Sequence, residues 1–98
     1  MSSFFNIIAS DQPVLVDFFA DWCGPCKTMS PILKEVKSSL GDKVKILKID
    51  VDKNNRLATS LSVQGVPTLI LYKKSKVMWR QSGVIPKNDI ISKINKFL

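Results

Sequence analysis

Val14-Leu15-Val16-Asp17-Phe18-Phe19-Ala20-Asp21-Trp22-Cys23-Gly24-Pro25-Cys26-Lys27 decides the fold. Its first six residues are apolar on both faces except for Asp17, the pattern of a central strand covered on both sides. After it, Met29, Ile32, Leu33, Val36 and Leu40 recur at helical spacing from Gly24 onward, and Gly41 ends the run. The two cysteines therefore fall where a buried strand hands over to a helix. Pro31 lies inside that helix and predicts a kink, because it removes a backbone donor and crowds the preceding turn.

Working outward, Ser3-Phe4-Phe5-Asn6-Ile7-Ile8 predicts a short serine-capped helix, ended by Asp11-Gln12-Pro13. Val44 to Val51 alternates as a strand, and Asn54 to Leu61 predicts a short helix. Pro67–Tyr72 and Lys76–Arg80 flank a tight turn and predict a hairpin. Pro86 suits the first turn of a last helix, whose apolar face is Ile90, Ile91, Ile94, Phe97 and Leu98. The order α-β-α-β-α-β-β-α defines an α/β fold with parallel pairing, an antiparallel final pair and helices on both faces.

The chain has 98 residues, 45% of them hydrophobic, which suits a single domain over 1–98. No apolar run is long enough to span a bilayer, so no membrane partner is expected. The first basic residue is Lys27, and Phe4-Phe5-Asn6-Ile7-Ile8 is short and interrupted, so a secretory signal is not expected and the cytoplasm is. The formal charge is +7. It is uneven: Asp11, Asp17 and Asp21 give −3 over residues 1–26, and fifteen bases against five acids give +10 thereafter. The bases are scattered and no basic–aromatic motif appears, so a solvated lysine surface is favoured over a specific nucleic-acid partner. A monomer is expected.

The chain has two cysteines and no histidine. A structural disulfide across two residues closes a very small loop and adds little by loop entropy. A zinc site needs about four ligands, usually Cys or His, which this chain cannot supply alone; no metal is expected. Redox chemistry is the better use of a C-x-x-C at a strand-to-helix junction. Cys23 sits at the helix N-terminus, where unpaired N–H groups and the helix dipole favour a negative sulfur, and the thiolate is the nucleophile. Cys26, one turn in and expected to be the more buried, is placed to resolve a mixed disulfide on Cys23. Asp17 is the anomaly of its strand. A buried carboxylate is costly unless paired or protonated, so it is either a general base with a raised pKa or a carboxylate satisfied by backbone donors. Lys48, by residue type, is a snorkelling surface lysine, and Trp79 is packing or edge cover.

The stretch Val16–Lys27 resembles the active-site signature of thioredoxins. The likeness continues at Val63-Gln64-Gly65-Val66-Pro67-Thr68, similar to the family's cis-proline loop, and at Gly83-Val84. It implies the thioredoxin fold, a central mixed sheet flanked by helices, here expected to have about four strands because nothing in this sequence supplies the family's first edge strand. It implies protein-disulfide reduction with Cys23 as nucleophile, Cys26 as resolving thiol, Asp17 as proton acceptor for Cys26 and Lys48 as its pairing and tuning partner. Gly24 and Pro25 then set the redox poise, while Trp22, Val66, Pro67, Gly83 and Val84 bind clients around Cys23. The Val66–Pro67 bond is implied to be cis, leaving the Val66 backbone free to pair with an extended client. No cofactor is bound; a thioredoxin reductase fed by NADPH and disulfide-containing client proteins are the implied partners.

Three features depart from the family pattern: no edge strand precedes the first helix, the turn Lys73-Lys74-Ser75-Lys76 lacks glycine, and Ser82 replaces an apolar residue. A thiol oxidase or isomerase and a binding module without turnover are the competing functions. Gly-Pro between the cysteines argues against the first, and the intact Cys23, Cys26, Asp17 and Pro67 set against the second.

Overall fold

The computed structural model describes residues 2–98. The elements are α1 (Ser2–Ile8), β1 (Val14–Phe19), α2 (Gly24–Leu40), a short 3₁₀ turn (Gly41–Lys43), β2 (Lys45–Asp50), α3 (Asn55–Ser60), β3 (Thr68–Lys73), β4 (Lys76–Ser82) and α4 (Lys87–Asn95). Among the described residues the sheet has four strands in the order β2-β1-β3-β4. β1 runs parallel to β2, with Asp17 opposite Lys48, and antiparallel to β3. β3 and β4 form the expected antiparallel hairpin.

Alternation along β1 divides the core in two. Leu15 faces a cluster built from α2 and α4 through Met29, Leu33, Val36, Ile90 and Ile94. Val14, Val16 and Phe18 face Phe4 and Ile8 of α1 and Leu57 of α3. β1 is thus buried on both sides, as its apolar residues on both faces require. Asp17 keeps step with Leu15 and so enters the α2 side of the sheet.

Several details differ from the sequence expectation. Ser3 lies within α1 instead of capping it. β2 is one residue shorter at each end, and β4 runs on to Ser82 because Thr68 and Ser82 continue the ladder. Pro86 is the N-cap of α4, one position before its first turn. Leu98 lies beyond α4 and is exposed, whereas Phe97 packs on the core. α2 runs unbroken through Pro31.

The glycine-free hairpin turn has a physical account. Lys74 and Ser75 both adopt positive φ, 53° and 68°, the backbone of a two-residue loop that normally takes Asn-Gly. Their N–H groups donate to Ser10 O and Ile8 O, each at 2.9 Å, so the end of α1 holds the turn in its left-handed form. A side chain there still opposes the conformation. Ser75→Gly should therefore raise stability by about 1 kcal/mol, read as a higher urea midpoint at unchanged slope. An unchanged or lower midpoint would show that the turn carries no such strain.

Candidate active site

Where β1 ends, the chain turns at once. Cys23 N donates to Ala20 O at 3.2 Å, and Val51 N donates to Phe19 O at 2.9 Å, fixing the segment between strand and helix. Cys23 is the N-cap of α2 with extended backbone, and its Sγ accepts the Cys26 N–H at 3.1 Å. Pro25 in the first turn has no N–H to leave unpaired. Cys23 and Cys26 are joined as a disulfide with Cα atoms 5.3 Å apart, in a collar of Ala20, Phe19, Val51 and Val66. The expected difference in burial is not seen: Cys23 is 4% exposed and Cys26 6%. What distinguishes them is position, because Cys23 caps the helix whereas Cys26 lies within its first turn.

The 63–67 loop meets this disulfide from the other side. The Val66–Pro67 bond is cis, and Val66 O lies 3.7 Å from Cys23 Sγ. Among the described residues neither the N–H nor the C=O of Val66 has a backbone partner. Gly83 N donates to Pro67 O at 2.9 Å, which brings Gly83 and Val84 to the loop. Gly83 has φ 95°, a conformation that side chains disfavour. Trp22 is 71% exposed, and its Nε1 donates to Asp52 Oδ2 at 2.9 Å. Trp22, Gly24, Pro25 and Val84 are all exposed, and Val66 and Gly83 partly so.

Asp17 is fully buried, and neither carboxylate oxygen has a hydrogen-bond partner among the described residues. The alternative of backbone donors is thereby excluded. Burial raises its pKa from 3.8 to about 6, with the Lys48 charge pulling the other way. The direct Asp17–Lys48 pair does not form. Lys48 Nζ donates to Ser30 Oγ at 3.2 Å and sits 4.9 Å over the Phe19 ring. Its exposed side chain gains more from staying at the rim than from following Asp17 into the core, so it acts on Asp17 through space. Lys48, Ser30, Lys27, Asp21, Ala20, Phe19 and Cys26 line a cleft of about 180 Å³.

Sequence reasoning missed Ser30 and Phe19 beside Lys48, Asp52 beneath Trp22, and the Thr68–Ser82 hydroxyl contact at 2.9 Å. Asp52 is 30 residues from Trp22, so no local pattern announces it. Ser82 stood out only as a departure; the β3–β4 register, which sets Thr68 opposite Ser82, supplies its reason. Among the described residues no three His, Cys, Asp or Glu side chains gather as metal ligands would.

A disulfide closed across the first turn of a helix, beside a peptide group with no backbone partner among the described residues, defines a thiol–disulfide oxidoreductase. The thioredoxin family model matches residues 1–96, and the chain belongs to the thioredoxin family. It is 42% identical to a thioredoxin of Rickettsia prowazekii over 97% of this chain and 91% of that protein. It is 44% identical to the chloroplastic thioredoxin Y of Oryza sativa subsp. japonica over 99% of this chain, but spans only 58% of that protein's length. A mutant thioredoxin from Halobacterium salinarum superimposes with a TM-score of 0.89 at 30% identity, covering 99% of this chain and 84% of that one. Members of the family act on disulfides and use no bound cofactor.

The raised Asp17 pKa has a definite sign for stability. Below pH 3.8 the carboxyl is protonated in both folded and unfolded chains. Between pH 3.8 and about 6 the unfolded chain ionises first, so stability falls as pH rises through this window. Asp17→Asn cannot titrate. Its stability relative to the parent should therefore grow by about 2 kcal/mol between pH 4 and pH 8, measured by urea unfolding across pH. A difference that stays constant with pH would refute the buried-carboxyl account.

Proposed function

We propose that this protein is a protein-disulfide reductase in which Cys23 attacks, Cys26 resolves and Asp17 takes the proton. The observation that carries it is the placement of Cys23 Sγ between the α2 N-terminus and the Val66 carbonyl. In the reduced protein the Cys23 thiolate attacks one sulfur of a client disulfide. The client S–S bond breaks, a mixed disulfide forms, and the released client thiolate takes up a proton. Cys26 then gives its proton to Asp17, directly or through water, and attacks Cys23 Sγ. The second client thiolate leaves, so two electrons have passed to the client and the Cys23–Cys26 disulfide is restored.

Lys48 tunes Asp17 through its charge. The exposed Trp22, with Val66, Pro67, Gly83 and Val84, receives the client. Gly24 and Pro25, between the cysteines, set the redox poise by shaping the turn that faces the thiolate. A thioredoxin reductase drawing on NADPH returns the two electrons, making the protein an electron carrier in cell redox homeostasis. Such a cycle needs a compartment that supplies reducing equivalents. The cytoplasm is proposed here, although the rice relative is by name chloroplastic. Among the described residues no helix is long and apolar enough to cross a membrane. The small exposed patch around Cys23 suits one monomer meeting one client.

Two experiments test these roles. Cys26→Ser mixed with oxidised cell extract should accumulate mixed disulfides on non-reducing gels that a reducing agent releases, and Cys23→Ser should accumulate none. Partners trapped on Cys23→Ser alone would reverse the two roles. Asp17→Asn should leave formation of the mixed disulfide unchanged and slow its resolution about tenfold or more, because general base assistance is lost there. Equal resolution rates in variant and parent would remove Asp17 from the mechanism.

A further inference from the structure

The segment that presents Val66 begins on a strained turn. α3 closes at Leu61, and Ser62 follows with φ 59°, a left-handed position that usually takes glycine. Ser62 N still donates to Thr59 O at 3.0 Å, and Val63 N to Ala58 O at 2.9 Å. The carbonyls of Leu61 and Ser62 end the helix without helical donors. Arg80, from the middle of β4, fills that place: Nη1 donates to Leu61 O at 2.5 Å and Nη2 to Ser62 O at 2.6 Å. A cation at the negative end of a helix, presenting a fork of donors, suits this position.

The other end of the segment is tied to the same strand. Two residues further along β4, on the same face, Ser82 Oγ meets Thr68 Oγ1 at 2.9 Å, and Thr68 Oγ1 also bonds Gly65 O at 2.6 Å. Alternation along β4 thus aims Arg80 and Ser82 at the two ends of one loop. Between those ends the Val66 peptide group has no backbone hydrogen bond among the described residues and is left for a client.

We propose that Arg80 and Ser82 are positioning residues for client binding: from β4 they clamp the 61–68 segment at both ends and so set where the Val66 peptide group stands relative to Cys23. The proposal rests on the client-reducing reading above. Neither side chain touches the cysteines, so the clamp acts on clients that pair with the Val66 backbone. A small disulfide that needs no such pairing is indifferent to it.

The test uses pre-reduced protein against two substrates, insulin as an extended protein disulfide and bis(2-hydroxyethyl) disulfide as a small neutral one. Parent, Arg80→Gln, Arg80→Lys and Ser82→Ala are compared over a range of substrate concentrations. Losing the clamp bonds should raise the half-saturating insulin concentration about five- to tenfold for Arg80→Gln, and less for Ser82→Ala. The limiting rate and the small-disulfide rate should stay within about twofold of the parent. Arg80→Lys keeps the charge but not the fork and should fall between parent and Arg80→Gln. An unchanged insulin dependence in both Arg80→Gln and Ser82→Ala, or an equal loss on both substrates, would overturn the clamp. A parent that reduces neither substrate would instead overturn the reading on which it rests.

Discussion

The bond from Cys26 N–H to Cys23 Sγ, 3.1 Å long at the start of α2, is the interaction on which the proposed chemistry depends. It exists because Cys23 holds extended backbone at the N-cap while Cys26 is already helical. That requires a helix to start within a few residues of a buried strand. The fold supplies this by covering β1 on both faces, with α2 and α4 on one side and α1 and α3 on the other. A slip of one residue in β1 would turn Asp17 to the α1 side and leave the cysteines facing nothing useful.

The same sheet imposes a second constraint. Placing Asp17 on the α2 side of the sheet buries a carboxyl that has no hydrogen-bond partner among the described residues. The fold thus holds a destabilising group that its core would be better without, the kind of local conflict expected at a working site. Lys48 moderates it from the adjacent strand without entering the core. Its ammonium prefers Ser30 Oγ and the Phe19 ring at the mouth of the cleft, so the pair is coupled by charge and not by contact.

Much of this was legible in the residues. The apolar run of β1, the helical spacing after Gly24 and the cysteine spacing located the site at its junction, and a carboxylate in an otherwise apolar strand marked Asp17. Contacts set by register were not legible. Trp22 with Asp52, Thr68 with Ser82, and Arg80 with the end of α3 join residues 14 to 30 positions apart. Each depends on a strand pairing that periodicity alone does not align. The near-equal burial of the two cysteines is hidden from the sequence for a related reason: Val66 arrives from a distant loop and packs against the pair. At Lys74 and Ser75 the sequence shows only a missing glycine. The turn's support, the carbonyls at the end of α1, comes from a remote element.

That the α2 N-terminus activates the Cys23 sulfur is the step on which the proposed mechanism turns. Its most direct test is the pH dependence of Cys23 alkylation by iodoacetamide in the Cys26→Ser variant, where only one thiol can react. The account predicts a midpoint well below the value of about 8.5 of an ordinary cysteine, with reaction near its plateau at neutral pH. A midpoint at or above that ordinary value would contradict it.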